Sequence, residues 1–121
     1  QVALNHAGLP PESIGWINLH GTGTLLNDGM ESRAVAEVFG SHTAATSTKP
    51  LTGHTLGASA ALETALLHAA LQQGRLPTLP LSSPDFPLPT LHGQPLPNGS
   101  YLNYFLGFGG SHCAWVLDWQ G

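Results

Sequence analysis

Charge is what this 121-residue sequence lacks most, since Asp, Glu, Lys and Arg make up 8% of it, against about 25% in an average soluble protein. The three basic residues, Arg33, Lys49 and Arg75, cannot neutralise many phosphates, so nucleic acid is excluded as a partner. Seven acidic residues leave a net charge of −4. Because a free domain normally carries more charge to stay in solution, we expect other protein to cover much of the surface.

Cysteine is nearly absent. Cys113 is the only cysteine, which excludes an internal disulfide framework and a CxxC zinc site. So few cysteines favour a reducing compartment, and we expect the cytoplasm. No apolar run reaches the roughly 20 residues of a membrane-spanning helix, so we expect no membrane span. The chain opens at Gln1, without a methionine or a secretory signal, and is expected to be cut from something longer.

The length allows at most one domain, and we predict that residues 1–121 form a single, partial domain. Val2–Gly8 is typical of the end of a helix, because Gly8 is followed closely by two prolines. Ile14–Leu19 is short and apolar, which favours a buried strand. His20 is therefore predicted at the C-terminal end of that strand.

A helix is predicted next, capped by Asp28 and ended by Gly40. A second strand and helix follow, at Ala44–Thr48 and about Leu56–Gln73, separated by a loop with Lys49 and His54. The expected apolar face of this second helix consists of Leu62, Leu66, Ala69 and Ala70.

Proline dominates residues 77–97, which are predicted to be a covering loop with at most short edge pairings. Tyr101–Leu106 and Ser111–Trp119 are strand-like and are joined by Gly-Phe-Gly-Gly, which indicates a hairpin. Strands that alternate with helices and then pair with each other predict an α/β fold with a mixed sheet and packed helices.

Each of the first two predicted strands is followed by a histidine in a glycine-containing loop, at the sheet edge where ligands gather. Thr22 and Thr24 place two hydroxyls beside His20 in the run His-Gly-Thr-Gly-Thr. This segment fits either a ligand-binding loop or a turn before a helix cap. It lacks the GxxxxGK[ST] pattern of a phosphate loop.

Lys49 precedes His54 by five residues, and His54 is predicted near a helix N-terminus, which favours a neutral imidazole. Glu63 is an acidic residue on an apolar helix. It either pairs with Lys49 in a buried ion pair or lies in solvent, and the pattern leaves both open.

Three motifs in order resemble the C-terminal part of β-ketoacyl-acyl carrier protein synthases, the condensing enzymes of fatty acid and polyketide assembly. They are HGTGT with the downstream ND and E, then STKPLTGHTLGASAALE, then LGFGGSH, and they span His20 to His112. The run INLHGTGTLLNDGMESRAVAEVFG is similar in particular to bacterial synthases associated with aryl polyene pigments.

The resemblance implies a thiolase-like fold of two related α/β halves, of which this chain is most of the second. It implies condensation of an acyl thioester, held on a cysteine of the first half, with malonyl-acyl carrier protein. The implied partners are acyl carrier protein, the missing N-terminal half and a second copy of the whole enzyme. No cofactor is implied beyond the phosphopantetheine that carries the substrate.

Matched residue by residue, His20 and His54 correspond to the two histidines that promote decarboxylation and stabilise the resulting enolate. Lys49 matches the family lysine near the active site, and Glu63 matches the glutamate that holds this network in place. Two N–H donors in a dry pocket suit the negative charge that decarboxylation leaves on a thioester oxygen.

The resemblance also implies a substrate channel. Thr22 and Thr24 match positions that contact the pantetheine arm. Phe108 and Gly109 lie in the GFGG loop, whose aromatic residue gates entry of the acyl chain in the family.

The sequence departs from the family pattern near its C-terminus. Asn-Tyr-Phe-Leu at 103–106 stands where Asn-Ser-Phe is usual, and His112 stands where asparagine is common, so loop geometry and chain-length selectivity are not carried over. Cys113 does not replace the family cysteine and, within an apolar strand, is predicted to be a buried structural thiol. The chain is therefore predicted not to condense substrates alone.

The remaining histidines lack the spacing of metal ligands, so we expect no metal site. Two other interpretations stay open beside the enzyme part. The chain is either a non-catalytic, truncated synthase-like module that binds a partner synthase subunit or carrier protein, or a processing or expression fragment. Retention of His20, His54, Lys49 and Glu63 together disfavours the non-catalytic module.

Overall fold

A computed structural model of the protein describes residues 1–40, 43–76 and 95–121. Its α-helices are α1 (Val2–Ala7), α2 (Leu25–Phe39), α3 (Lys49–Thr52) and α4 (Ser59–Gln73). Its strands are β1 (Ile14–Asn18), β2 (Ala45–Thr46), β3 (Gly99–Leu106) and β4 (His112–Trp119). Short 3₁₀ turns cover Pro11–Ser13, Leu56–Ala58 and Phe108–Gly110.

The strands form one mixed sheet in the order β2-β1-β3-β4, which confirms the predicted α/β architecture. β1 is parallel to both of its neighbours and pairs through Ile17 with Ala45 of β2 and Leu102 of β3. β3 and β4 are antiparallel over their whole length, as expected for the predicted hairpin. The C-terminal ends of β1, β2 and β3 therefore meet at one edge, where β4 begins.

Helices cover both faces of the sheet. On one face, Leu4 of α1 and Val35 of α2 pack in a buried cluster with Ile17 and Leu102. On the other face, side chains of α4 pack in a second buried cluster that includes Trp16. Burial of this apolar surface holds the strand ends, and the loops that follow them, in fixed positions.

Helix α2 is capped by Thr24 and not by Asp28, so that prediction is wrong. The Thr24 hydroxyl accepts a 3.3 Å hydrogen bond from the backbone N–H of Asn27, and the helix begins at Leu25. Asp28 lies within the first turn, where a carboxylate faces the positive end of the helix dipole. The predicted end of the helix at Gly40 is confirmed.

Helix α4 begins at Ser59, later than predicted, because Leu56 adopts a positive φ of 52° that no α-helix accommodates. Its buried residues are Ser59, Glu63, Leu67, Ala70 and Leu71. Ala70 was placed correctly, whereas Leu62 and Ala69 are exposed. The error arose because the sheet-facing stripe begins with the polar Ser59 and Glu63, which an apolar pattern does not include.

Cys113 is exposed, so its prediction as a buried thiol is wrong. Among the described strands, β4 pairs only with β3 and lies at the edge of the sheet. Cys113 stands opposite Phe105 and lines a cavity. An apolar strand sequence is buried on both faces only where other elements cover it.

Most of the predicted covering loop at 77–97 lies outside the described residues. At its two borders, Arg75 and Pro95 form a short antiparallel bridge, and the backbone N–H of Leu96 donates to the carbonyl of Gly74 at 2.8 Å. Among the described helices, none combines the length and apolarity that crossing a membrane requires.

Candidate active site

The candidate site forms at the edge where the three parallel strands end. His20 follows β1 after one residue, and the segment after β2 leads directly to Lys49. β3 ends beside Gly107, and β4 starts at His112 on the same edge. Loops at the carboxyl ends of parallel strands are where α/β proteins hold their ligands.

Lys49 is buried at the start of α3 and is the hub of this edge. Its Nζ atom lies 2.6 Å from Oε1 of Glu63 and 3.4 Å from Nδ1 of His20, and it also donates to the backbone carbonyl of His20. A lysine ammonium donates and cannot accept. Nδ1 of His20 is therefore the acceptor, which leaves the proton of the neutral ring on Nε2.

His54 lies opposite His20 on the segment between α3 and the 3₁₀ turn. The two ring centroids are 5.3 Å apart, with the planes at 84°. The backbone N–H of Leu56 donates to Nδ1 of His54 at 3.2 Å, so Nε2 of the neutral ring carries the proton here as well. The helix N-terminus that was predicted beside His54 begins farther along the chain, at Ser59.

Glu63 is fully buried, so the solvated alternative is excluded. Besides the ion pair with Lys49, its Oε1 atom accepts a 2.8 Å hydrogen bond from the Ser59 hydroxyl. Asn18 Nδ2 donates to Oε2 of Glu63 at 3.4 Å and to Oδ1 of Asn103 at 2.7 Å. This network ties α4 to β1 and β3 behind the two histidines.

Glu31, the E of the first motif, belongs to the site, although the sequence interpretation gave it no role. Its side chain, 1% exposed, accepts from the backbone N–H groups of His20 at 2.6 Å and of Gly21 at 2.9 Å. Burial raises the pKa of this carboxyl, while the two backbone hydrogen bonds oppose that shift. The signal was available, because Glu31 lies one helical turn before Val35 on the buried face of α2.

The electrostatic environment keeps His20 neutral. Its side chain is buried, and this desolvation lowers the pKa of the imidazole below its ordinary 6.5. The nearby positive charge of Lys49 and then the proximity of His54 lower the pKa further, against the smaller opposing effect of Glu63. His20 is consequently an uncharged N–H donor at neutral pH.

A cavity of about 600 Å³ opens in front of the two rings. Thr22, Thr24 and Asn27 line one part of it, and Phe108, 93% exposed, lines another. The hydroxyls of Thr22 and Thr24 are 3.0 Å apart and hydrogen-bonded.

A second cavity, of about 280 Å³, adjoins the first and also has His20 in its wall. Phe105, His112 and Cys113 contribute to its wall. Gly109, which was predicted in the substrate channel, lines neither cavity and instead forms part of the turn between β3 and β4.

The structure therefore brings His20, His54, Lys49 and Glu63 together at this edge of the sheet. It places Thr22, Thr24 and Phe108 around the adjoining cavity. In the described part of the chain, no group of three or more His, Cys, Asp or Glu side chains is arranged to hold a metal ion.

The sequence profile described as "Beta-ketoacyl synthase, C-terminal domain" matches residues 1–81 of the chain. The chain belongs to the β-ketoacyl synthase family. It is 36% identical over 124 residues to 3-oxoacyl-[acyl-carrier-protein] synthase 2 of Coxiella burnetii, covering 96% of this chain and 30% of that protein. It is also 43% identical over 77 residues to Nodulation protein E of Rhizobium leguminosarum bv. trifolii, covering 61% of this chain and 19% of that protein.

Solved β-ketoacyl synthase structures share the fold. A ketosynthase (ApeO) in complex with its chain length factor (ApeC), from Xenorhabdus doucetiae, matches 96% of this chain and 31% of its own, with 42% identity and a TM-score of 0.85. A β-ketoacyl synthase from Burkholderia phymatum matches 98% of this chain and 30% of its own, with 30% identity and a TM-score of 0.88. The thiolase-like fold implied by the resemblance is thus confirmed.

The chain spans about 30% of the length of the synthases that it matches over most of its own length. It corresponds to the C-terminal ketosynthase domain of a β-ketoacyl-acyl carrier protein synthase. These relatives' names state no pigment, so the similarity to aryl polyene synthases stays a prediction.

Proposed function

We propose that this chain supplies the two-histidine part of a decarboxylating, condensing active site. The proposal depends on one observation, that the Nδ1 atoms of both histidines accept a hydrogen bond. Lys49 donates to His20 and the Leu56 backbone donates to His54, so both rings, 5.3 Å apart, keep their protons on Nε2. Two preorganised donors can then serve one developing negative charge.

The reaction we assign is the condensation of malonyl-acyl carrier protein with an acyl thioester. Loss of carbon dioxide breaks the carboxyl carbon bond of the malonyl group and places its electron pair on the thioester as an enolate. The Nε2–H groups of His20 and His54 donate to the enolate oxygen. The enolate carbon then attacks the acyl thioester, and the cysteine thiolate leaves.

Lys49 and Glu63 act through His20 in this proposal. Their ion pair sets the acceptor role of Nδ1, and the contact of Lys49 with the His20 carbonyl fixes the backbone. They are positioning residues, because the three acceptors around the Lys49 ammonium use its three hydrogens.

The larger cavity is proposed to take the phosphopantetheine arm of acyl carrier protein, with no separate cofactor. Thr22 and Thr24 would hydrogen-bond the arm, and Phe108 would gate the acyl chain. Proximity of Thr22 and Thr24 to the histidines supports this arrangement, since both threonines and both rings line one cavity.

The nucleophilic cysteine must come from outside this chain. Cys113 lines the second cavity near His20 but stands at the start of β4, in the strand that follows the GFGG loop, whereas the family cysteine belongs to the other half. We therefore propose that the chain is inactive alone, works with the N-terminal half of the synthase, and forms part of a dimer of the whole enzyme.

The test begins with native mass spectrometry of the purified protein, to identify the polypeptide that provides the reactive cysteine. Release of carbon dioxide from malonyl-acyl carrier protein is then measured for the assembly. We expect His20→Ala or His54→Ala to slow release by about 10²-fold to 10³-fold, as for loss of one donor to an oxyanion. His6→Ala, an exposed histidine on α1, is the matched control and should leave the rate unchanged.

Two other outcomes would contradict the proposal. Unchanged release in the two variants would show that the histidines do not stabilise the enolate. A folded assembly that binds a partner subunit or carrier protein but releases no carbon dioxide would favour the non-catalytic module.

A further inference from the structure

Three polar side chains behind the site connect α4, β3 and β1 and end at Glu63. Asn18 of β1 and Asn103 of β3 are 0% and 2% exposed and stand directly opposite each other in the pairing of the two strands. Asn103 also contacts Thr64 of α4, and Asn18 contacts Glu63. We call Asn18, Asn103 and Thr64 the polar bridge. Its contacts lie inside the chain, so they do not depend on what covers the surface.

The Thr64 end of the polar bridge fixes the direction of its hydrogen bonds. The Thr64 hydroxyl has a single hydrogen, which it donates to the carbonyl of Ala60 at 2.7 Å. Its oxygen can therefore only accept from Asn103, whose Nδ2 atom lies 3.2 Å away. The amide of Asn103 consequently turns its Oδ1 atom toward Asn18, where it accepts from Nδ2 at 2.7 Å.

The Glu63 end requires the same direction. The Glu63 carboxylate, which pairs with Lys49, only accepts, so Asn18 presents Nδ2 to its Oε2 atom, at 3.4 Å. That Nδ2 group carries two hydrogens, and the second is available to Oδ1 of Asn103. The two ends thus agree. If either amide turned over, two donors or two acceptors would face each other inside the protein.

Glu63 connects the polar bridge to the site through its other oxygen. Its Oε1 atom accepts from Lys49 at 2.6 Å and from Ser59 at 2.8 Å, while Asn18 occupies Oε2. Lys49 in turn lies 3.4 Å from Nδ1 of His20. The position of the carboxylate therefore determines whether the ammonium reaches the ring.

We propose that the polar bridge sets the tautomer of His20 by holding Glu63 against Lys49. While the carboxylate is held, the ammonium donates to Nδ1 and the proton of the neutral ring stays on Nε2. The members of the bridge are positioning residues, because none of them lines either cavity beside His20. Their effect on catalysis rests on the proposed function, in which this Nε2–H donates to the enolate oxygen.

His54 provides a comparison within the same site. Its Nδ1 atom accepts from the backbone N–H of Leu56, a contact that does not involve the polar bridge. Loss of the bridge should therefore release the tautomer of His20 and leave that of His54 unchanged. A general loosening of the structure would affect both rings.

The experiment uses the assembled synthase that contains this chain, labelled with ¹⁵N at histidine. NMR correlations between ring nitrogens and carbon-bound protons show which nitrogen carries the proton, and spectra of His20→Gln and His54→Gln assign the signals. Asn103→Leu replaces the amide by an apolar group of similar shape. Ser100→Ala is the matched control, because it removes another side-chain hydrogen bond of β3, to Asp118 at 3.1 Å.

Thr64→Val and Thr64→Ser form a second pair of variants. Valine has the shape of threonine without the oxygen, so Asn103 loses its acceptor, whereas serine retains the hydroxyl. This pair decides the outcome if Asn103→Leu does not fold.

We expect Asn103→Leu and Thr64→Val to change His20 from a single tautomer to a mixture. The signals of His54 should stay as they are. For Asn103→Leu, kcat for release of carbon dioxide from malonyl-acyl carrier protein should fall about tenfold without a change in KM, because only donation in the transition state is weakened. Thr64→Ser and Ser100→Ala should match the unmodified protein in both measurements.

A single Nε2–H tautomer of His20 in both Asn103→Leu and Thr64→Val would overturn the inference. Equal changes in His20 and His54 would overturn it as well, because they indicate a general loss of structure. If the unmodified assembly releases no carbon dioxide, the proposed function fails, while the NMR spectra still decide whether the polar bridge controls His20.

Discussion

Lys49 and Glu63 are two buried charged residues, 6% and 1% exposed. Hydrogen bonds from and to the surrounding residues compensate for their lost hydration. Such a pair contributes little net stability, because desolvation offsets the attraction, but removal of one partner typically costs about 3–5 kcal/mol. The pair is best understood through its effect on His20. It fixes which ring nitrogen accepts and which donates.

The pKa of His20 gives a prediction at the residue scale. Burial, then Lys49 and His54, lower this pKa below 6.5 in the folded state. Between the lowered value and 6.5 the unfolded chain binds more protons, so the free energy of unfolding should fall as pH falls through that window. Urea denaturation from pH 7 to pH 5 should show a smaller decrease for His20→Gln than for the unmodified protein.

The control for this slope is His6→Gln, because His6 is exposed. It should leave the dependence on pH intact. If His20→Gln and the unmodified protein lose stability equally, another group is responsible for the titration.

The sequence predicted these side chains unevenly. His20 follows a short apolar strand and Lys49 precedes a glycine-rich loop, so their placement could be predicted from local pattern and motif order. The tautomer of His54 could not, because it depends on a hydrogen bond from the backbone N–H of Leu56 to the ring. The role of Glu31 could not be predicted from its place in the motif, because that role is to accept from the backbone N–H groups of His20 and Gly21, which only the folded loop brings to it.

At the scale of elements, the loop after β1 is held against the segment after β2. Gly21 has a φ of 47°, and a Cβ atom there would lie 2.4 Å from Cβ of Ser47. The Ser47 hydroxyl also donates to the Gly21 carbonyl at 3.3 Å. This close approach sets the spacing between the segment that carries His20 and the segment that carries Lys49.

Gly21→Ala should therefore destabilise the protein in two ways. The left-handed backbone costs a residue with Cβ about 1–2 kcal/mol, and the contact with Ser47 adds to this. Gly8→Ala is the matched control, since Gly8 has a φ of 66° and open space around its Cβ position. Free energies from urea denaturation should show a larger loss for Gly21→Ala than for Gly8→Ala.

Ser47→Gly in the Gly21→Ala background should recover the part that comes from the clash and leave the backbone part. Equal losses for the two alanine variants would show that the loop relaxes freely around Ser47.

The predicted element boundaries agree with the structure where a single residue determines the boundary. They differ from it where the folded geometry of several residues determines the boundary. Gly40 ends α2 as predicted, because little else accommodates its backbone. Thr24 and not Asp28 is the N-cap residue of α2. Threonine and aspartate both cap helices, so the sequence alone did not distinguish two candidates that lie four residues apart. Cys113 was misplaced for a different reason, because strand position in the sheet, edge or centre, is a long-range property.

At the scale of the whole molecule, the described chain presents two cavities that share His20 as a wall. Because the chain spans about 30% of its relatives' length, the proposed function requires the remainder of a synthase to approach this edge with its nucleophile. The smaller cavity, with Cys113 in its wall, is a natural place to detect that approach.

We expect Cys113 to react readily with a maleimide in the separate chain and more slowly once the rest of the synthase is bound. The thiol is exposed here and faces a cavity that the partner polypeptide would cover. Labelling rates followed by intact mass spectrometry provide the measurement, and the unfolded chain in urea gives the upper limit of reactivity. Equal rates with and without the partner would mean that this edge stays open in the assembly.

The buried position of Lys49 limits the covalent modification of lysine in this chain. Lys49 is its sole lysine and is followed by Pro50, and every hydrogen on its ammonium is already committed to an acceptor. Within this segment an acetyl or ubiquitin group has no other lysine to join, and an amine-reactive cross-linker has no accessible one. A tag found on Lys49 would therefore record a molecule that had unfolded before it was marked.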